Sequence, residues 1–250
     1  MAYLRDSDLE FLGEINSEDL NDLVYCLTHD KDGTIRLTEE LTTNAIYKEH
    51  NPDHNKYWTA IAAEIQCFGA NSIVTIFRQG KGVPYREVLT DVCDKLKVNY
   101  NKNAEIEVIE DNLLMKIVSD AIEKMTDAEV KELAETVGLS NFSSSRSLLL
   151  GSFQAIFRAG GFKSYQLTAI IVNGILKALI GRGLSFLATG SLMRAMSVLT
   201  GPIGWAVTGA WTVLDIASPA FRVTTPAVIQ VAFLRKKHIN GELKQQLDFS

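Results

Sequence analysis

The sequence predicts an all-α protein: a multi-helix bundle with an acidic N-terminal module and an apolar, Gly-rich C-terminal module. Three observations carry this expectation. Apolar residues recur at three- and four-residue spacing, with capping signals between the runs. No alternating run of Val, Ile and Thr marks a strand. The net charge of −5 conceals a division: up to Ser145 there are 27 acidic and 14 basic residues, giving −13, and from Arg146 onward 3 acidic and 11 basic, giving +8. A composition of 46% hydrophobic and 22% charged residues is that of a folded chain, so disorder is not expected.

In chain order, Ser7 and Glu10 form a capping box ahead of Leu9, Phe11 and Leu12. Asn16 or Ser17 caps a helix carrying Leu20, Leu23, Val24 and Leu27, which Gly33 breaks. Thr38 is expected to open a helix through Leu41, Ala45 and Ile46, and Pro52 to stand at the next helix start. Tyr57, Trp58, Ile61, Ile65 and Phe68 make a broad stripe ending near Gly69, and 72–77 reads as a short helix. Pro84 starts a helix bearing Val88, Leu89, Val92 and Leu96. Glu105–Met125 is a longer amphipathic helix, and Thr126 with Glu129 gives a second capping box for a helix closed by Gly138.

The Ser-rich stretch SNFSSSRS (140–147) coincides with the change of charge and reads as a linker. The expected organisation is an acidic module over 1–140, a linker over 141–146 and an apolar, basic module over 147–250. Behind the linker, Leu148–Ala159 ends at Gly160-Gly161, and Tyr165–Ile180, Leu184–Leu199, Pro202–Ala217 and Pro226–Ile239 follow. Pro226 after Thr225 reads as a first helical position, and Arg235, Lys236 and Lys237 as a last turn complementing the helix dipole.

Asp215 is the single carboxylate between Glu135 and Glu242, and Ala195–Leu214 carries no charge over 20 residues, long enough to span a bilayer as one helix. Gly201-Pro202 would bend it, and a hairpin over 184–217 follows. Gly174, Gly181, Ala188 and Ala195 lie seven apart, the small-residue spacing that lets helix backbones approach, although Gly181-Arg182-Gly183 would interrupt the row. Gly201, Pro202, Gly204, Trp205 and Trp211 complete the hairpin's candidate membrane or partner contacts; the indoles suit an interface and a core equally. The basic rear has two readings: the acidic front docks on it, or it meets an anionic surface.

Thr28–Glu39 mimics an EF-hand loop, with Asp30, Asp32, Gly33 and Glu39 at matching positions, but Thr28 supplies no carboxylate where calcium needs one. The alternative is a tight turn with Gly33 at positive φ. His50 and His54 are four apart but separated by Asn51-Pro52, and read as surface residues at a helix start. No nucleophile elbow or phosphate-cradling loop is present, and the basic residues lack the aromatic interleaving of nucleic-acid binders. The expectation is a non-enzyme with no catalytic residues, no cofactor, no metal and no nucleic-acid partner. Cys26, Cys67 and Cys93, odd in number and widely spaced, fit a reducing compartment, and the opening MAYLRDSDLEFL is not a secretory signal. A cytoplasmic protein with peripheral or inducible inner-membrane association is expected.

Leu4–Leu12, Leu27-Thr28-His29, Ile61–Gly69 with Asn71-Ser72-Ile73, Gly201–Gly204 and Phe221–Gln230 resemble the YaaW family of bacterial proteins. The tail motif, with Arg222 and Pro226 as further candidate contacts, is the most specific part. That family is remotely associated with the ubiquinol–cytochrome c chaperones, helical factors that assist assembly of a membrane respiratory complex. The resemblance implies no catalytic residue, and a turn rather than a calcium site near Gly33. Two functions are expected: membrane association or insertion, with a permeabilising action, through the apolar C-terminal helices; or an assembly chaperone or adaptor holding an apolar partner segment.

Overall fold

The longest described helix is also the most buried, and the others are arranged around it. The computed structural model describes residues 2–37, 39–70, 82–136, 139, 145–185 and 221–248. The helices are α1 (Ser17–Thr28), α2 (Ala45–His50), α3 (Trp58–Ala70), α4 (Tyr85–Lys95), α5 (Ile106–Lys124), α6 (Asp127–Thr136), α7 (Arg146–Ala159), α8 (Gly161–Ile180) and α9 (Phe221–Asp248), with single 3-10 turns at Glu10–Glu14 and His54–Tyr57. Among the described residues there is no strand beyond one isolated bridge, His29 to Ile35. The fold is all-α.

From Phe221 to Arg235 every residue of α9 except Arg222 is buried. A helix apolar on all sides belongs in an interior, and α9 packs against α1, α3, α4, α5 and α8. Its direction follows from its contacts. Lys237 pairs with Asp19 near the start of α1, while Arg222 lies near Arg36, just beyond the end of α1, so α9 runs antiparallel to α1. Tyr165 of α8 stacks on Phe233 at 5.8 Å and lies near Asp19, while Gly181 reaches Lys31, so α8 runs with α1 and against α9. One hydrophobic cluster joins side chains from Leu9 to Leu234.

The expected punctuation holds in several places. Pro84 is the N-cap of α4, and α5 lies inside the expected 105–125. Thr126 N–H and Oγ1 donate to Glu129 Oε2 at 2.7 and 2.8 Å, and Glu129 N–H donates back to Thr126 Oγ1 at 3.3 Å. Gly160 and Gly161 have φ of +66° and +67°, which glycine adopts without the steric penalty of a Cβ, and here α7 turns into α8.

Four expectations are corrected. Asp6, not Ser7, holds the first turn, accepting from Asp8 N–H at 3.0 Å, while Glu10 pairs with Arg5. The helix expected from Thr38 forms only at Ala45–His50, because Asn44 Oδ1 caps it by accepting from Ile46 N–H at 3.0 Å; Thr38 itself lies outside the described residues. Pro226 lies inside α9 rather than at its start, and Arg235, Lys236 and Lys237 sit in mid-helix, with carboxylates of other helices as partners. His54 is 4% exposed rather than a surface residue, with Nε2 at 2.6 Å from Asn21 Oδ1 and Nδ1 against the Tyr57 hydroxyl. The expected helix at 72–77, the Gly138 stop and the helices at 186–217 lie outside the described residues.

Thr126→Ala removes both hydrogen bonds of the Thr126 hydroxyl while leaving the backbone N–H to Glu129, and is expected to lower stability by about 1 kcal/mol in urea denaturation; an unchanged midpoint would show that the hydroxyl cap is not formed in solution.

Candidate functional site: the inward-facing cations and the root of the apolar stretch

The rear of the chain meets the acidic front through specific pairs. Of the 11 basic residues from Arg146 onward, five face carboxylates of the front half: Arg146–Asp127 (2.7 Å), Arg182–Asp22 (2.9 Å), Arg235–Glu110 (3.0 Å), Lys236–Asp111 (2.8 Å) and Lys237–Asp19. Arg146 also donates from Nε to Ile122 O at 3.2 Å and from Nη2 to Met125 O, at the C-terminal end of α5 where carbonyls lack helical partners.

Glu110 and Arg235 form the deepest pair, their side chains 1% and 8% exposed. Arg235 Nε donates to both Glu110 oxygens at 3.2 and 3.0 Å, Nη2 donates to Asp8 O at 2.6 Å, and the guanidinium lies 4.4 Å from the Phe11 ring centroid. Tyr85 Oη donates to Glu110 Oε1 at 2.8 Å, and Tyr85 N–H to Asp6 Oδ2 at 2.6 Å. Burial raises the Glu110 carboxyl against the pull of Arg235; burial also lowers the Arg235 guanidinium, and Glu110, Tyr85 and Glu107 together more than reverse it. Every polar atom of this carboxylate is bonded, as a buried charge requires. The arrangement ties α9 to α5, to the start of α4 and to the Asp8 carbonyl.

The apolar stretch is rooted on α1. Gly181 ends α8 in the left-handed region at φ +76°, and a Cβ there would meet Lys31 O at 3.2 Å. Beyond it Arg182 lies 4.2 Å over the Tyr25 ring, and Tyr25 stacks on His29 at 4.3 Å. Buried Asp22 accepts from Arg182 Nη2, from Ser185 N–H at 2.8 Å and from Ser185 Oγ at 2.9 Å. The far end re-enters the described fold at Phe221, whose ring lies 5.4 Å from Lys95 Nζ. Of the contact residues expected from sequence, Gly174 is buried in α8, Gly181 is exposed at its end, Arg222 is exposed on α9 and Pro226 is buried within it. The small-residue row from Gly174 is interrupted at Gly181, where α8 stops. Ala188, Ala195, Gly201, Pro202, Gly204, Trp205 and Trp211 lie outside the described residues.

Sequence reading passed over Asp22, Glu110 and Ser185. A signal existed for Glu110, which falls on the same face as Ile106, Leu113, Leu114 and Ile117, and for Arg235, which continues the line of Val228 and Val231. Single opposite charges on two apolar faces are the mark of a buried pair.

Elsewhere, Asp30 Oδ1 accepts from Asp32 N–H and Thr34 N–H at 3.0 and 3.1 Å, and Oδ2 from Thr34 Oγ1 at 2.7 Å, so the calcium-like loop is a turn closed by its own carboxylate. A cleft of about 340 Å³ separates Glu14–Asp19 from Lys237–Gly241, where His238 Nε2 lies 3.6 Å from Glu14 and Lys237 pairs with Asp19. Glu64 of α3 is 2% exposed; one oxygen accepts from Glu40 N–H at 3.1 Å and the other has no partner among the described residues. Burial pushes its carboxyl up to about 7, with the Glu39 and Glu40 carboxylates adding to the shift and the Glu40 N–H opposing it. Among the described residues no group of His, Cys, Asp and Glu could hold a metal ion, and no helix is long and apolar enough to cross a membrane. Ala195–Leu214 lies outside them.

These features define an all-α protein in which five of the rear's 11 basic residues pair with carboxylates of its own acidic front. The ubiquinol–cytochrome C chaperone family model matches residues 53–229, more than half of the chain, and a model for a domain of unknown function matches residues 3–37. A UPF0174 protein of Helicobacter pylori strain J99 is 49% identical over 238 residues, covering 95% of this chain and 94% of its own. A second from that strain is 39% identical over 206 residues, covering 80% and 98%. The UPF0174 protein YaaW of Escherichia coli K12 is 33% identical over 239 residues, covering 94% and 95%. The chain belongs to this UPF0174 (YaaW) family, within the reach of the ubiquinol–cytochrome C chaperone model. No solved structure matches it significantly.

Two substitutions test the buried charges. Arg235→Ala strands the Glu110 carboxylate and is expected to cost about 3–5 kcal/mol in urea denaturation, while Glu110→Leu with Arg235→Met recovers most of that; a double variant as unstable as the single would contradict the pairing. For Glu64 the folded pKa lies above the unfolded one, so its stabilising contribution is complete below about 4.5 and is lost as pH rises through about 7. Glu64→Gln should therefore gain on wild type between pH 5 and 8.5, by up to about 3 kcal/mol; parallel stability profiles would refute the shift.

Proposed function

We propose that the protein is a non-enzymatic, chaperone-like adaptor that holds an apolar segment of a protein partner. The match of residues 53–229 to the ubiquinol–cytochrome C chaperone model carries this reading. The inward pairing supports it over membrane insertion: attraction to anionic lipid depends on cations facing outward, and five of the rear's 11 face carboxylates of the same chain.

The partner contact is assigned to the run between the two anchors at Ser185 and Phe221, whose centre, Ala195–Leu214, is uncharged. Small residues there (Ala188, Ala195, Gly201, Gly204) suit close approach of a partner backbone, and Trp205 and Trp211 are the side chains best fitted to act as anchors. In this reading 1–140 and 147–250 are two modules joined by 141–146, the first supplying the carboxylates that seat the second.

The test is recovery of the tagged full chain after cross-linking in cells that make it, without detergent. One protein in fixed stoichiometry is expected, and Trp205→Ala with Trp211→Ala should reduce its recovery at least about tenfold. Unchanged recovery with the double variant would reject the assigned surface. Sedimentation with anionic liposomes and dye release at low salt, with no protein partner, would reject the adaptor in favour of membrane action.

A further inference from the structure

The outward face of α7 carries a pattern that the adaptor reading does not use. Leu148, Gly151, Ala155 and Ala159 are all exposed, and the last three stand four apart, one above another on the helix. Of the exposed residues of α7 only Arg158 is charged, whereas those of α6 include Asp127, Lys131, Glu132 and Glu135. A surface helix ordinarily turns charged and polar residues to water; α7 turns small and apolar ones. Gly151 is the telling member of the line, because a glycine inside an exposed helix costs about 1 kcal/mol relative to alanine. Nothing within the fold asks for it: its backbone is helical rather than left-handed, and a Cβ would meet no atom within 4 Å. A glycine that the chain itself does not need is explained by a backbone arriving from outside, since small residues let two helices approach closely.

The charges at the two ends of the face decide which backbone. Its N-terminal end is fixed to the corner between α5 and α6, where Arg146 donates to Ile122 O and Met125 O and pairs with Asp127. That corner belongs to an acidic block, with six carboxylates against two lysines over 120–135. The C-terminal end is basic. Arg158 and Lys163 are exposed and face no carboxylate among the described residues, and no acidic residue occurs from 147 to 181. One helix face therefore joins an acidic end to a basic end, and such a face complements itself when turned around.

We propose that the outward face of α7 is a dimer interface, across which a second copy of the chain packs its own α7 antiparallel along Gly151, Ala155 and Ala159. The two-fold arrangement sets Arg158 and Lys163 of each copy against the α5–α6 corner of the other, and Leu148 of each over the small residues near Ala159 of the other. A parallel pairing would place base on base and acid on acid. With 14 residues α7 is about 20 Å long, a face at the low end of specific interface sizes. The dimer is accordingly weak, with a dissociation constant on the order of 10–100 µM. This surface is separate from 184–217 and does not depend on the adaptor reading.

The experiment is sedimentation equilibrium of the full-length protein at low salt, which should pass from monomer to dimer between about 1 µM and 1 mM. Ala155→Glu should weaken the dimer at least about tenfold, and Gly151→Gln should weaken it while raising the thermal stability of the monomer. Arg158→Glu with Lys163→Glu should weaken it as well, and so should Glu123→Lys with Asp127→Ser. An equimolar mixture of these two charge variants should recover a heterodimer, because each then meets the opposite sign; thermal unfolding by circular dichroism shows that both fold. Trp205→Ala with Trp211→Ala should dimerise as wild type does. A chain that stays monomeric at the highest concentration would overturn the proposal and leave the face to a different protein. A dimer undiminished in Ala155→Glu, or charge variants that fail to recover on mixing, would overturn it too. Self-association lost in the double Trp variant would place the contact on 184–217, overturning the α7 interface while leaving the adaptor reading standing.

Discussion

Three consecutive residues near the middle of α9 fix how that helix sits in the molecule. Successive side chains leave a helix about 100° apart, and here each reaches a different neighbour. Arg235 points to Glu110 of α5 and to the Asp8 carbonyl, Lys236 to Asp111 and the Phe157 ring, and Lys237 to Asp19 of α1. An apolar helix alone could rotate or slide among apolar neighbours at little cost. Three charges aimed in three directions remove that freedom, because any other setting leaves at least one of them buried without a partner. The contribution of the buried pair is thus to register rather than to net stability.

From this follows the meaning of the chain's charge asymmetry. The acidic front is the seat for the helices that come after it: Asp19, Asp22, Glu110, Asp111 and Asp127 each receive a cation from beyond residue 145. It follows too that the greasiness of Phe221–Leu234 has an interior cause, since these residues line the centre of the core. On the adaptor reading, what remains to be met by a partner is narrower than the whole rear: the run between the anchors at Ser185 and Phe221, whose centre, Ala195–Leu214, is uncharged.

Much of the fold was legible because local chemistry decides it. The Thr126–Glu129 box, Pro84 and the Gly160-Gly161 break announce helix ends within a few residues, and the stripes of α3, α4 and α5 follow the 3.6-residue period. What escaped was decided at a distance. Pro226 looked like a helix start because proline usually stands there, but α9 runs on both sides of it although an interior proline removes one helix hydrogen bond. Arg235–Lys237 looked like a dipole-complementing last turn, since their partners lie more than a hundred residues away. His54 looked like a surface residue because nothing beside it in sequence reveals Asn21. For the site, the sequence marked the apolar run, but not Asp22, which ties down its root.

Native-state hydrogen exchange tests the central role of α9 most directly. If α9 is the helix on which the others are assembled, the amides of Ala227–Arg235 exchange only by global unfolding, with the same denaturant dependence and opening free energy as those of Leu113–Ile122 in α5. Exchange of α9 through a separate, smaller opening while α5 stays protected would contradict the account.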